Sequence, residues 1–252
     1  MFEHFKGEEV FVKKVLDYLD QVQYKQRLIL TQFLDPYHQS IVKSVIGHQD
    51  EVQVLENGGF IHSESQRIII APYFYEIEKE DFEIVVCKII YAKNFEKLTH
   101  RDILGALMSL GIKRELFGDI VEKDKDFYLA VDLHIYEYLK DHLSMIKRSK
   151  VKFVEWDEEI EVKNDYLVKS FIVSSFRLDK IISSFYKISR QKAAEFIRAG
   201  HVKVNHKPVE QINYLCNNKD IISFKKHGRV MFVDCNKQTR SDNYVVEGYF
   251  YK

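Results

Sequence analysis

Twelve cations lie between residues 175 and 230: Arg177, Lys180, Lys187, Arg190, Lys192, Arg198, Lys203, Lys207, Lys219, Lys225, Lys226 and Arg229. Four acids oppose them (Asp179, Glu195, Glu210 and Asp220), so the segment carries +8 in a chain of formal net charge +0. Residues 231–252 balance, which leaves −8 on the first 174 residues. Clustered Lys and Arg neutralise phosphates, and the planar guanidinium fork can hold two oxygens at once. A small basic module on an acidic body is the electrostatic pattern of a nucleic-acid binder. A merely solvated charge cluster gives the same count, so the pattern around the charges must separate the two readings.

Other residue groups suggest chemistry less specifically. His100-Arg101-Asp102 has the residue types of the kinase catalytic triplet. Leu107 stands where that triplet needs a metal-binding Asn, and there is no Gly-rich loop or Asp-Phe-Gly partner. The plainer reading is a helix N-terminus with Asp102 in the favourable first turn. Arg177-Leu178-Asp179 offers a second candidate catalytic aspartate, which reads better as an early-turn residue paired with a nearby Arg. The ten histidines show no metal spacing, and His201 and His206 lack a Cys or acid pair to complete a site. They read as polar contacts beside the basic face. Phe74, Tyr75, Tyr91 and Phe95 supply rings that can stack on bases, although most such rings are core. No catalytic residue, metal or cofactor is expected.

The chain has 252 residues, 46% hydrophobic and 13% aromatic, enough for two or three small domains with real cores. It has three prolines and no Gly/Ser-rich stretch, so connections are short or charged. No apolar run approaches a membrane span, and Met1 to Val10 is charged, unlike a signal peptide. Cys87, Cys216 and Cys235 are an odd, scattered set, read as thiols in a reducing compartment. The expectation is a soluble, cytoplasmic protein without a membrane partner.

The elements that must position these residues read as an α+β fold in three domains. In 1–72, a helix starts at Val10 and continues toward Leu30 and Phe33, and a second follows from Pro36 to about Ile46. A hairpin then turns at Asn57-Gly58-Gly59 between Glu51–Glu56 and Arg67–Ala71. In 73–160, strands at Phe82–Tyr91, Ile112–Val121, Phe127–Asp132 and Val151–Trp156 alternate with helices at His100–Leu110 and Leu133–Lys147. The second helix would bury Leu133, Tyr136, Leu139, Leu143 and Ile146. This β-α-β-β-α-β order reads as a ferredoxin-like (RRM-like) split βαβ, whose sheet is a common platform for single-stranded RNA. The acidic run Glu155–Glu161 follows as a solvated interdomain segment. In 166–252, a strand at Leu167–Phe176 precedes two short helices, the second capped by Ser189 and closed by Gly200. Short strands at Val202–Val204 and Ile221–Phe224 and a β tail at Arg229–Val233 and Tyr244–Tyr251 complete it.

Arg177-Leu178-Asp179-Lys180, Ser189-Arg190, Ala193–Ile197, Gly200, Val202-Lys203-Val204-Asn205 and Asp220-Ile221-Ile222-Ser223 resemble the S-four (alpha-L) RNA-binding module over about fifty residues. Two departures are Lys219, where a Gly usually precedes the Asp, and Lys225-Lys226 in place of Arg-Gly. Thr31-Gln32-Phe33-Leu34-Asp35-Pro36, Gly58-Gly59, Glu64 with Arg67, and His100 to Ile120 extend the resemblance to nearly the whole chain. They resemble the bacterial YlmH-type family, with an S-four module behind two N-terminal regions. The resemblance implies RNA contact by Arg177, Lys180, Arg190, Lys192, Arg198 and Lys203, and Lys187, Lys207, Lys225 and Arg229 of the same basic segment are expected to join them. It implies binding to rRNA or tRNA on the large ribosomal subunit, in quality control of stalled peptidyl-tRNA complexes, and the chain is expected to be a monomer. His100, Arg101, Lys113 and Arg114 form a second candidate RNA or ribosome contact, exposed by turns at Gly111 and Gly118. The competing classes are an RNA-modifying enzyme of pseudouridine-synthase type and a cell-division adaptor.

Overall fold

The computed structural model describes residues 5, 7–163 and 165–251; the outermost ends of the first and third expected domains, Met1–His4 and Lys252, lie outside these. The chain divides into two units, Met1–Val162 and Lys163–Lys252.

The first unit opens with α1 (Glu9–Lys25), which buries Val12, Val15, Leu19 and Val22 at helical spacing. It does not run on toward Phe33. Gln26 turns left-handed at φ 51° and closes the helix onto the Gln21 carbonyl. Ile29–Leu30 instead forms β1 and pairs with Ile70 and Ile69. Those partners belong to β3 (Arg67–Pro72), buried along its whole length. Pairing there satisfies β1 backbone groups and half-buries two aliphatic chains against the sheet. Asp35 caps α2 (Pro36–Ile46) by accepting the His38 N–H at 2.9 Å. The strand β2 (Val52–Asn57) pairs with β3 from Val52↔Pro72 to Asn57↔Arg67. The expected tight turn at Asn57-Gly58-Gly59 is therefore the start of a longer connection, residues 58–66. Gly59 sits at φ +85°, and a Cβ there would lie 2.9 Å from Val86. The glycine is needed for close approach of that loop to a sheet, beyond any turn.

That sheet contains β4 (Ile84–Tyr91), β5 (Phe117–Lys123), β6 (Asp126–Asp132), β7 (Met145–Ile146) and β8 (Ser149–Glu155), with α3 (His100–Ser109) and α4 (Leu133–His142). Its order is β5-β6-β4-β8-β7, antiparallel throughout. Without β7 this is the strand order of a split βαβ. Three sequence expectations change. Ile112–Leu116 is not strand; a 3-10 turn at Arg114–Leu116 precedes β5. The second helix stops at His142 rather than Lys147, because Met145–Ile146 pairs back on β8 through a turn with Lys147 at φ 52°. Leu133 is 43% exposed, off the buried stripe of Tyr136, Leu139 and Leu143.

One sheet face, with Cys87, Ile89, Leu129, Val131 and Phe153, packs on Ile103 and Leu107 of α3 and Tyr136 and Leu139 of α4. The other face, with Val121, Tyr128 and Ala130, is covered by Phe60 and Ile160 with Trp156 and Val162 beside them. Ile61 donates to the Ile160 carbonyl and Val162 donates to the Ile61 carbonyl, each at 2.9 Å. The acidic run is thus pinned by Trp156 and Ile160 rather than wholly solvated, and it blocks much of the face expected to be an RNA platform.

Arg67 ties the N-terminal elements to this sheet. Its Nε donates to the Thr31 carbonyl at 2.9 Å, and one terminal nitrogen donates to Asp132 Oδ2 at 3.0 Å and the Glu83 carbonyl at 3.1 Å. Asp132 also caps α4 by accepting the N–H groups of His134 and Ile135. Burial lowers the Arg67 pKa, and Asp132 and Glu83 work against that. Removing one partner of such a buried pair strands the other charge.

The second unit carries β9 (Tyr166–Val173), α5 (Leu178–Tyr186), α6 (Arg190–Arg198), β10 (Val202–Val204), β11 (Lys207–Pro208), β12 (Ile221–Phe224), β13 (Gly228–Gln238) and β14 (Tyr244–Tyr251). Its strand order is β11-β10-β12-β13-β14-β9. The first strand ends three residues before the expected Phe176. The two helices bury Ile181, Ile182, Phe185, Ala193 and Ile197 against Val204, Ile222, Val230, Phe232 and Val246. The architecture is α+β, with helices laid on antiparallel sheets.

Arg67→Leu is expected to lower the stability of the first unit by about 3 kcal/mol, since Asp132 stays buried without its cation. Urea unfolding followed by fluorescence of Trp156, the chain's single tryptophan, would measure it; an unchanged midpoint would contradict the clamp.

Candidate nucleic-acid interface

The two helices of the second unit are held by local rules. Ser189 caps α6 by accepting the Lys192 N–H at 3.2 Å. Lys187, left-handed at φ 53°, closes α5 with its N–H on the Ser183 carbonyl, and the Ser183 hydroxyl donates to the Ile188 carbonyl at 2.7 Å. This tight corner sets the angle between the helices.

At the same corner Asp179, only 2% exposed, collects two guanidinium groups. Arg177 reaches Oδ1 from Nε at 3.0 Å and Oδ2 from a terminal nitrogen at 3.2 Å, and Arg190 Nε reaches Oδ2 at 2.6 Å. Burial pushes the Asp179 carboxyl up, but the hydrogen bonds from Arg177 and Arg190 outweigh it and hold the pKa below its ordinary value. Arg177 and Arg190 are therefore fixed in direction and share one internal negative charge. Their use on a ligand is reduced from two free charges to one net charge, but their forks are preorganised.

The remaining expected contacts are placed as follows. Lys187, Lys192, Arg198, Lys203 and Lys225 are exposed and in no ion pair among the described residues. Lys180 donates to Ser174 Oγ at 2.9 Å. Arg229 lies over the Tyr251 ring at 4.6 Å, and Lys207 is half-buried after the β10–β11 turn. Lys187 and Lys192 border an open depression with Ile188, Ser189, Gln191 and Glu195. At 100° per residue Lys192 and Arg198 lie about 120° apart around α6, so the array wraps the helix rather than forming a plane. His201 packs against Phe196, centroids 5.8 Å apart.

The two departures from the S-four pattern have a common cause. Lys219 and Lys226 both adopt positive φ, 71° and 69°. Gly adopts that conformation freely, whereas a side chain costs about 1 kcal/mol or more. The late turn keeps its shape through a latch: Asn205 Nδ2 donates to Asp220 Oδ1, Asp220 Oδ2 accepts the Asn217 N–H, and Asn205 Oδ1 accepts the Ile221 N–H, at 2.8, 2.8 and 2.9 Å. The strained positions add two cations to this rim.

The second candidate contact does not hold together as a set. Arg114 is exposed along its stem, but its guanidinium turns in, donates to the Phe117 and Gly118 carbonyls and lies 4.7 Å from the Phe117 ring centroid. Burial lowers its pKa. Lys113 faces Glu115 at 4.0 Å. Nearby Asp119, which the sequence reading missed, accepts the Glu64 and Ser65 N–H groups; burial raises its pKa, and it fastens the 58–66 loop. Arg101 and His100 begin α3 elsewhere. Asp102 closes a capping box on Thr99 and pairs with Lys147 at 2.7 Å. Lys147 is the first cause and Thr99 the second of its lowered pKa. It is a helix-start residue, as the plainer reading expected.

Among the rings expected to stack, Tyr91 packs against the helix-side core. Phe74 (58%), Tyr75 and Phe95 (92%) are exposed, contrary to the core expectation. Phe74 and Tyr75 lead into Glu76, Glu78, Glu80 and Asp81, which repel phosphate. Burial pushes the Cys87 and Cys216 thiols up to about 12, so neither is a ready nucleophile. Among the described residues, no group of three or more His, Cys, Asp or Glu is placed to hold a metal, and no helix is long and apolar enough to cross a membrane.

Three family models match the chain. They are described as "YlmH, N-terminal" over residues 7–74, "Putative RNA-binding domain in YlmH" over 78–159 and "S4 domain" over 176–222. The chain is 32% identical over 255 residues to "Ribosome-associated protein quality control protein P2" of Bacillus subtilis (strain 168), covering 98% of this chain and 96% of that protein. A solved structure, "Cell division protein ylmH from Streptococcus pneumoniae", is 29% identical with a TM-score of 0.53, over 62% of this chain and 96% of that one.

Asp179→Ala is expected to destabilise the second unit by about 2 kcal/mol, below the cost of breaking a fully buried pair because both guanidinium groups can rehydrate. Because the folded pKa lies below the unfolded value, this contribution is complete above about pH 4 and fades as pH falls through the folded pKa. Urea titrations of both proteins at pH 7 and pH 3 should show the gap narrowing in acid; a constant gap would mean the carboxylate charge is irrelevant.

Proposed function

Because the chain belongs to the YlmH family of S-four proteins, we propose that it is a non-enzymatic, ribosome-associated RNA-binding protein. Its C-terminal module docks on folded rRNA or tRNA at the large subunit, in the quality control of stalled peptidyl-tRNA complexes. It does so as a cytoplasmic monomer of three domains, 1–72, 73–160 and 166–252. The observation that carries this reading is the fixed guanidinium pair on Asp179 at the start of α6, where Lys187 and Lys192 are exposed and in no ion pair among the described residues. The Arg forks orient a phosphate group, and the lysines neutralise its neighbours. Five to seven engaged phosphates would give a log–log salt slope of about −4 to −6.

The residue chemistry supports a binder over an RNA-modifying enzyme. Both candidate catalytic aspartates are committed, Asp179 to two guanidinium groups and Asp102 to Thr99 and Lys147. Both carboxyl pKa values are held below the ordinary value by these partners, which makes each a weak proton acceptor for general-base work.

Lys187→Glu with Lys192→Glu is expected to leave the fold intact, reduce co-sedimentation with purified bacterial large ribosomal subunits at least tenfold, and flatten the salt slope by about 2. Undiminished co-sedimentation would reject this face. Association that survives nuclease and high salt would favour an adaptor acting through protein contacts.

A further inference from the structure

The first unit is acidic overall, yet one end of its sheet is not. Residues 145–154 contain Lys147, Arg148, Lys150 and Lys152 and no acid. Three segments meet there. Glu96, in the loop after β4, accepts the Arg148 N–H at 3.2 Å and the Ser149 hydroxyl at 3.1 Å. Lys147 in the β7–β8 turn bonds Asp102 in the first turn of α3. The loop, the turn and the helix start are therefore neighbours, and they bring Lys97, Arg101, Arg148, Lys150 and Lys152 to one end of the sheet.

The acids that contact these three segments are engaged within the fold, while Glu122 and Asp124 stand exposed on the neighbouring β5–β6 turn. Glu96 is turned onto the β7–β8 turn, Asp102 onto Lys147 and Thr99, and Asp126 onto Lys88 and Lys93. Lys97, Arg101, Arg148, Lys150 and Lys152 are exposed and in no ion pair among the described residues. Phe95, 92% exposed, projects from the same loop. Ring and backbone alternation adds a second feature. Lys150, Lys152 and Val154 point away from the helices, and Lys152 pairs with Ile90. Ile90 and Val154, 42% and 49% exposed, form the part of the sheet face that Phe60 and Ile160 leave uncovered.

We infer that this end of the sheet, where the 92–97 loop meets the β7–β8 turn, is a second RNA-binding site that takes an unpaired, phosphate-flanked base. Phe95 stacks the base, while Lys97 and Arg148 beside it in the loop and turn, and Lys150 and Lys152 on the adjoining sheet face, hold the neighbouring phosphates. An exposed aromatic ring on a loop that meets a turn bearing cations in no ion pair among the described residues suits a single-stranded nucleic acid; a basic or neutral protein segment would meet uncompensated repulsion or unburied charge. The site rests on the RNA-binding reading above but uses none of the C-terminal residues.

The test uses the full chain and a fluorescein-labelled RNA hairpin whose loop carries 4-thiouridine, against a blunt duplex of the same length. Crosslinked peptides from the wild-type protein should include the one bearing Phe95, from the hairpin and not from the duplex. Phe95→Ala should abolish that adduct while leaving adducts in residues 177–229 unchanged. Lys150→Glu with Lys152→Glu should weaken hairpin binding about tenfold and flatten the salt slope by about 2. The same loss should appear on the Lys187→Glu/Lys192→Glu background, which separates failure of this site from failure of the C-terminal face. Adducts confined to residues 177–229, with an unchanged slope for the Lys150/Lys152 variant of wild-type thermal stability, would overturn the site. So would equal binding of hairpin and duplex unaffected by Phe95→Ala.

Discussion

A single carboxylate organises the basic module. Asp179 is buried at the start of a helix, where an unpaired charge would be costly, and it is satisfied by one Arg from its own helix cap and one from the next helix. The bond from Arg190 therefore does two things at once. It staples α6 to α5 beyond what Ile181, Phe185 and Ile197 achieve by packing, and it sets where both guanidinium groups point. A face made only of flexible lysines would have to order each side chain on binding, at an entropic cost for each. Here two of the cations are ordered in advance, and Lys187, Lys192 and Arg198 supply charge around that fixed point. The late turn follows the same logic with Asp220, whose carboxylate fixes Asn205 and the Asn217 backbone.

The first unit uses buried polar groups to join elements. Arg67 carries positive charge from β3 to the Asp132 cap of α4, and Asp119 gathers the N–H groups of the 58–66 loop. The Asp119 contacts lay the loop over the sheet, where Gly59 permits the approach to Val86, and Gly118 makes room for the Phe33 ring, 2.7 Å from where its Cβ would lie. The consequence is that a sheet of the expected strand order has lost much of the face on which such sheets bind single strands. Surface charge and exposed rings are found instead at its strand ends.

Much of this was legible because local rules suffice for it. Thr99, Asp35 and Ser189 are caps whose side chains accept backbone N–H groups within their own turn; Thr99 and Ser189 are readable from spacing alone, whereas Asp35 reads only as the helix stop before Pro36. The buried stripes of α1, α5 and α6 follow a helical period that tertiary contacts only confirm. The errors share a cause too. Ile29–Leu30 and Met145–Ile146 are short apolar stretches, and Ile112–Leu116 has apolar ends around Lys113-Arg114-Glu115; none is long enough for its period to choose between helix, strand and turn. The choice was made by a partner: β3 for the first and β8 for the second, each distant from or folded back on its segment.

The sequence by itself determined the +8 segment on an acidic chain, the helix caps, the S-four spacing and the α+β order of elements, because charge, capping and hydrophobic period are properties of neighbouring residues. Only the tertiary structure decided which cations remain available. Arg177 and Arg190 share Asp179, Arg114 turns inward onto two carbonyls, and Lys150 and Lys152 are exposed and in no ion pair among the described residues. The availability of a charge depends on which distant groups the fold brings within hydrogen-bonding reach, and one-dimensional spacing carries no such distances.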